Sequence, residues 1–511
     1  MPAFFLALAL PILLMIVNLH QLDHLPHRSL ARLAARHRAP LMSLRLGAVL
    51  TVVASSPDVA REVLQRHNAY IAARSIGDSM RAGSHCNNSV LCLPPRHRWR
   101  ALRRLGATEL FSPPRLRAME PLRREAVSTL LRHVSDHAAR GAAVDVGAAA
   151  HAAALGLLAR TMFSGDLDPR TAREVSDVVD EASVLAAGPN VSDFFPALAA
   201  ADIQGVRRRM ARLVKRMYAI IDDQIEQREG SRAAGEARKN DLLDVMLDKE
   251  GEVEEEGTDD VSHNTIRGLF TSRGPVSGPA PRSASSTTPS PLPTKRSGSP
   301  RATAPTVGVG GHLSGSGFGA LSRKRRGEAA EQEHHGEGPL LGHPRRWLAA
   351  VWMAAAAAVA AAAEQEQAVV KETLRLHPPV PLPPYEAEAT VEIQGYTIPK
   401  GTKVLINIWA INRCPDAWIE PNRFMPERFL EAEINFMGRD FHFIPFGAGR
   451  RIYLGLPLAY RMVHLMLGSL LHRFRWTLPA EVEKNGVDMR ERFGLALSLV
   501  VPLHAIPQEI H

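Results

Sequence analysis

Cysteine and aromatic residues are scarce in this chain. Its 511 residues hold three cysteines, Cys86, Cys92 and Cys414, and only 5% Phe, Trp and Tyr. No CxxC pair occurs and three cysteines make no paired framework, which argues against a zinc module and for a reducing compartment. The three thiols are expected to be small core hydrophobes. No basic residue precedes the apolar run MPAFFLALALPILLMIV, Met1 to Val17, and no clear small-residue cleavage site follows it. Anchor and cleaved signal peptide are the rival readings of this segment, and the missing signal features favour the anchor. His20, His24, His27, Arg28, Arg32 and Arg36 come next. Residues 1–18 are therefore expected to sit in a membrane with the rest of the chain on the cytosolic side. The run is short for a span and Pro11 interrupts it.

A 45% share of hydrophobic residues is globular and suffices for one or two substantial cores. The net charge of +9 would suit an anionic membrane surface, a polyanion or an acidic protein partner, and it says nothing about fold.

Residues 19–270 form the amino-terminal part of one domain, and from Ser29 to Ala200 they read as helices broken by one strand pair. Alternation through Leu44, Leu46, Val49 and Val52 marks the strands, and SPDVAREVLQRH resumes a helix with Ser56 as its cap. Apolar positions three and four apart continue through 201–249, so the run Arg207 to Arg209 is the solvated face of a helix and not a nucleic-acid site. KEGEVEEEGTDD is expected to be a solvated loop.

From 271 to 346 the composition breaks. Asp and Ile are absent, Phe318 is the only aromatic residue, and Gly, Ser, Pro and Arg dominate. Such a segment buries too little apolar surface to offset its ordering entropy and is expected to be disordered. SRKRRG, Ser322 to Gly327, is most simply solvated, so no nucleic-acid partner is expected. Residues 347–366, rich in alanine, favour a helix.

The chemistry-bearing pattern lies in 367–511. In ETLR, Glu372 and Arg375 share one helical face, and Pro378 and Pro379 end that helix. FMPERFL adds Arg428, a second guanidinium that could hold the same carboxylate in low dielectric. Then comes FGAGRRIYLG, Phe446 to Gly455. Gly447 and Gly449 allow unusual backbone angles and close approach of amides to a ligand atom, and Arg451 could pair with a cofactor carboxylate.

Taken together these residues resemble the cytochrome P-450 family of haem monooxygenases, over nearly the whole chain apart from about 271–366. The resemblance implies a mainly α fold with a small β region near the amino-terminal third and after residue 380. WRALR looks like the family's C-helix motif, so Trp99 and Arg103 would contact haem propionates. ETLR and PERF match its Glu-x-x-Arg helix and partner, making Glu372, Arg375 and Arg428 a structural triad behind the haem. The haem loop, Phe-x-x-Gly-x-Arg-x-Cys-x-Gly, is matched by Phe446, Gly449, Arg451 and Gly455. Flanking phrases look like plant microsomal members, most like the branch that includes geraniol and diterpene hydroxylases. That branch implies haem b, NADPH acting through a membrane-bound reductase, a lipophilic substrate and the endoplasmic reticulum membrane.

The chain departs from the pattern at four places. Tyr453 stands where the family's cysteine ligates iron. The long I helix, with its Ala/Gly-Gly-x-Asp/Glu-Thr motif, is replaced by the insert after SHNTIRGLF, so no catalytic acid or threonine is identified. The abrupt stop and restart, filled with residues of GC-rich codons, is what a frame change or retained intron would produce. The Pro-rich hinge after the anchor is missing, and PLPPYEAEA lacks a basic residue that relatives often turn toward a propionate. A catalytically dead relic of the family is the rival reading to an active monooxygenase.

Overall fold

Alternating apolar residues at 41–54 form the hairpin on which one wall of the molecule is built. The computed structural model describes residues 21–83, 85–239, 241–249, 262–271, 363–430 and 433–510. Strands β1 (Leu41–Leu46) and β2 (Val49–Ala54) pair antiparallel, with Leu41 opposite Ala54. The sheet then takes strands from far along the chain. β7 (Lys403–Ile406) lies parallel to β2, and β4 (Pro384–Glu386) lies antiparallel to β7, giving the order β1-β2-β7-β4. A parallel neighbour cannot be reached by a tight turn, so this sheet joins the two ends of the chain. Between them, β5 (Val391–Ile393) and β6 (Tyr396–Ile398) form a small hairpin. Val52, Ala54, Ile71, Tyr385, Ile406, Phe441 and Ala448 pack together on one core.

The helices carry the rest. α1 (Pro26–His37) precedes the sheet, and α2 (His97–Glu109), α3 (Glu120–Ala139) and α4 (Val146–Phe163) follow it. α4 is long and apolar enough to cross a membrane. Here its Leu157 is buried against Ala126 and Val127 of α3, as in a core helix. α5 (Pro169–Ala187) and α6 (Val206–Ala233) pack on one another; α7 (Leu242–Asp248) and α8 (His263–Thr271) close that half. Leu243, Met246, Ile266 and Leu269 are fully buried there with Ile225 of α6. α9 (Ala363–Leu376) and α10 (Leu456–Arg473) follow, and α10 packs on α3 and α9. A three-stranded sheet, β3 (Val144–Asp145), β11 (His504–Glu509) and β8 (Phe474–Thr477), completes the carboxyl-terminal side, with the short pair β9 (Glu491–Arg492) and β10 (Ser498–Leu499).

The expected mainly α fold with a small β region is what the chain adopts. Ser56 caps its helix as read, accepting from the Val59 amide at 3.4 Å. Two expectations need amendment. The Ala-rich helix assigned to 347–366 does not end at 366, because α9 runs without a break from Ala363 to Leu376. Of the three cysteines expected in the core, Cys92 is buried but Cys86 and Cys414 are only half-buried, and the Cys86 and Cys92 sulfurs approach to 2.7 Å. The anchor at 1–18, the acidic loop and the insert at 271–346 lie outside the described residues, apart from Lys249 and Thr271.

Buried ion pairs join α6 to α7. Arg228 holds Asp241 through two hydrogen bonds of 2.8 and 2.7 Å, and Arg232 reaches Asp244 at 2.6 Å. Burial pushes the Asp244 carboxyl up, but hydrogen bonds from Arg232 and Arg228 outweigh it and hold it at about 2, against an ordinary 3.8. A depressed carboxylate contributes stability that is complete above its unfolded value and is lost as pH falls through its folded one. Unfolding free energy is therefore expected to drop between about pH 4 and about pH 2. Urea midpoints measured across that range should fall less steeply in Asp244→Asn than in the parent; equal slopes would show that Asp244 is not the group responsible.

Candidate active site

The Glu372 carboxylate sits at the centre of the carboxyl-terminal half. Because ETLR is helical, Arg375 falls one turn from Glu372, and its Nε and Nη2 donate to the two carboxylate oxygens at 2.6 and 2.8 Å. Both side chains are fully buried. Arg428, on the short turn Pro426–Phe429, donates from Nε to Glu372 at 3.3 Å, and the Met425 amide adds a bond of 2.8 Å. Arg375 spends its remaining donors on the carbonyls of Asn412, Pro421 and Arg423. Every donor on that guanidinium has an acceptor, the condition under which a buried charge is tolerated. Trp418, Phe429, Phe436 and Phe443 pack around this knot and pass contact on to Phe446 and Tyr460.

The glycine loop starts at Phe446. Gly447 (φ 75°) and Gly449 (φ 65°) both take left-handed backbone angles that other residues reach only with strain. At Gly449 there is a second reason: a Cβ would stand 2.1 Å from the Leu64 carbonyl oxygen. The loop thus presses directly on the π-helical turn Glu62–Arg66, and no side chain could replace that glycine without moving it. The Tyr453 amide donates to the Phe446 carbonyl at 3.1 Å and closes the loop. The Tyr453 ring stacks on Phe446, with centroids 6.2 Å apart and planes 19° apart, and is 41% exposed. Its phenol oxygen lies against Gly455, where a Cβ would meet it at 2.8 Å.

On the amino-terminal side α2 brings Trp99 and Arg103 to the same loop. Trp99 is buried, donates from Nε1 to the Val90 carbonyl at 3.1 Å, and lies under two guanidiniums, those of Arg451 at 4.7 Å and Arg103 at 5.1 Å. Arg103 donates to the Ile452 carbonyl at 3.0 Å. Arg451, read from the sequence as a partner for a cofactor carboxylate, donates to three carbonyls: Ala72 at 2.8 Å, Val90 at 3.0 Å and Leu93 at 2.5 Å.

A third cation joins them. Arg74 stands 4.5 Å over the ring of Tyr385, donates to the Pro384 carbonyl at 3.2 Å, and keeps a buried Nε without a hydrogen-bond partner. Tyr385 belongs to PLPPYEAEA, the phrase in which a basic residue is missing; the structure supplies a guanidinium there from a distant segment. Nothing in the local sequence around Arg74 marks it for that place. Among the described residues none of the three guanidiniums forms an ion pair. Burial pulls the Arg451 guanidinium down to about 9, with repulsion from Arg74 and Arg103 adding to it. Burial and Arg74 lower Arg103 in the same way. Arg451 is buried and Arg74 and Arg103 are half-buried, so three positive charges stand together in partly desolvated surroundings.

The model of the family described as cytochrome P450 matches residues 7–272 and 366–500. The chain belongs to the cytochrome P450 family. Membership makes it a monooxygenase-type oxidoreductase, in a family whose chemistry rests on haem iron and reductase-supplied electrons. Among curated relatives, a geraniol 8-hydroxylase of Catharanthus roseus is 38% identical, with 96% of this chain and 92% of the relative covered. A geraniol 8-hydroxylase of Swertia mussotii is 37% identical, with 96% and 91% covered. A geranylhydroquinone 3''-hydroxylase of Arnebia euchroma is 34% identical, with 97% and 92% covered. The chain therefore lies in the plant terpenoid-hydroxylase branch of the P450 family. A zebrafish cytochrome P450 solved with progesterone superposes with a TM-score of 0.66 at 20% identity, covering 94% of this chain and 99% of that one, which shows the shared fold. The matched blocks stop and restart around the segment where the sequence pattern of the family is lost.

Proposed function

We infer that this chain binds haem and a small lipophilic isoprenoid on the scaffold of a terpenoid hydroxylase. In that branch one atom of O2 enters a C–H bond of the substrate, with electrons from NADPH relayed by a membrane-bound reductase at the cytosolic face of the endoplasmic reticulum. The likeness, over nearly the whole chain, to relatives whose names share a geranyl group carries the substrate class. A surplus of nine positive charges suits docking of an acidic reductase surface.

Haem offers two carboxylates and an iron, and the two ends meet different environments here. The carboxylates suit Arg74, Arg103 and Arg451, three cations that lack an ion pair among the described residues, with the Trp99 indole beside them. The iron side does not suit the family's chemistry. A phenol oxygen lies several bonds farther from the backbone than a cysteine sulfur, and in this loop it rests against Gly455. Tyrosinate can ligate haem iron, as in catalase, but the electron push that favours O–O cleavage comes from thiolate. The residues present thus fit the carboxylates of haem and do not fit a thiolate-bound iron. Tyr453 therefore favours a second reading, in which the chain holds cofactor and substrate without hydroxylating.

Titrating haem into the full-length chain is expected to quench tryptophan fluorescence to saturation at one haem per chain. Arg103→Gln should weaken that binding at least about tenfold, or about 1.4 kcal/mol. Unchanged affinity in the variant would remove the carboxylate site and with it the reading.

A further inference from the structure

The short helix His85–Asn88 and the turn after it place two thiols face to face beneath the site. Cys86 Sγ is 2.7 Å from Cys92 Sγ and 2.8 Å from the Met80 carbonyl oxygen. An S–S bond is about 2.05 Å long, so little motion separates these thiols from a covalent link. The Cys92 side chain is buried and Cys86 is partly exposed. The turn between them is also the floor of the cation cluster. The Val90 carbonyl accepts from both Trp99 and Arg451, and the Leu93 carbonyl accepts from Arg451. Its other side is held by Arg98, which donates to the Asn88 side chain at 2.6 Å and to Thr265 of α8 at 3.0 Å.

We propose that Cys86 and Cys92 are a peroxide-responsive dithiol whose disulfide staples the turn that supports Trp99 and Arg451. Cys86 is the attacking sulfur. Its thiol is lowered by the hydrogen bond with Cys92, against burial, and Arg81 adds to the lowering. The Cys92 thiol is raised by the same hydrogen bond and by burial, which makes it the resolving partner. Attack of the Cys86 thiolate on a hydroperoxide breaks the O–O bond and leaves a sulfenic acid at Cys86, the peroxide's other oxygen departing as water or alcohol. The Cys92 sulfur then displaces the hydroxyl from Cys86: the S–S bond forms, the S–O bond breaks, and water leaves. Two thiols lose two electrons and two protons in all, and one hydrogen peroxide becomes two waters. A transient, reducible disulfide of this kind is what a reducing compartment permits. The device is independent of whether iron is bound at residue 453.

Both cysteines fall in one tryptic peptide, Ala82 to Arg96, which makes the test direct. The folded full-length chain is treated with hydrogen peroxide, alkylated, digested and weighed. This peptide should come out two hydrogens lighter and unalkylated at both positions, with dithiothreitol restoring alkylation, while Cys414 stays alkylated throughout. Alkylation at both positions after peroxide would overturn the proposal, and so would a sulfinic acid at Cys86 beside an alkylated Cys92. In Cys92→Ser, which lacks the resolving sulfur, Cys86 should stop at a sulfenic acid that dimedone traps and dithiothreitol reverses, and excess peroxide should carry it on to a sulfinic acid that dithiothreitol does not remove; an unreacted Cys86 would refute its role as attacking thiol. Hydrogen exchange supplies a readout of the staple itself. Amides from Asn87 to Leu91 should exchange at least about tenfold more slowly in the oxidised chain, and equal rates would refute the stapling.

Discussion

Tyr453→Cys is expected to give a chain that, once reconstituted with haem, reduced and exposed to carbon monoxide, absorbs as a thiolate-ligated haem does; the parent under the same treatment should not. The loop is already shaped for that residue. Gly447 and Gly449 hold their left-handed angles, and the residue-453 amide donates to the Phe446 carbonyl at 3.1 Å, a bond that any side chain at 453 keeps. Tyr453 is 41% exposed and stacks only at 6.2 Å on Phe446, so trading its ring for a thiol should change stability by no more than about 1 kcal/mol. Substrate hydroxylation, assayed with geraniol and a reductase, requires the thiolate first and the oxygen-activating helix second. A restored spectrum without turnover would locate the remaining defect in the segment after Thr271. A variant that binds one haem per chain yet shows no thiolate spectrum would show that residue 453 does not face the iron.

Glu372→Gln should cost about 3–5 kcal/mol, because it leaves Arg375 charged and uncompensated in a fully buried setting. Domains of this kind hold roughly 5–15 kcal/mol in all, so the variant is expected to lose much of its margin and to express poorly. The comparison variant is Arg428→Lys. Arg428 is partly exposed and its bond to Glu372 is longer, at 3.3 Å, so its loss should be felt much less. Urea denaturation followed by circular dichroism reads both. A shift below about 1 kcal/mol for Glu372→Gln would mean that the pair is not what holds α9 to the Pro426–Phe429 turn. The two predictions are separable, since one concerns an exposed residue of the loop and the other a buried knot behind it.

Glu372 and Arg375 could be placed on one helical face from their spacing, and β1 and β2 from alternation, because the periods of helix and strand are local properties of the backbone. The glycines of the loop were legible for the same reason, since left-handed φ is a demand on single residues. The type and motif of Arg451 were visible in the sequence, but the three carbonyls that also accept from it come from segments far earlier in the chain. Arg74 gave no signal at all, and its neighbour Tyr385 gave only the impression of a missing charge.

By itself, then, the sequence determined the family, the mainly α architecture, the triad and the substitution at 453, all of which depend on residue type at fixed local spacing. Tertiary structure alone decided that the guanidiniums of Arg103 and Arg451 meet over Trp99 with Arg74 over nearby Tyr385, that Cys86 meets Cys92 under the turn they flank, and that Gly449 presses on Leu64. Those contacts depend on the path of the backbone through the packed core. Many long-range side-chain neighbours are compatible with the same local periods, and only the burial of the shared core selects among them.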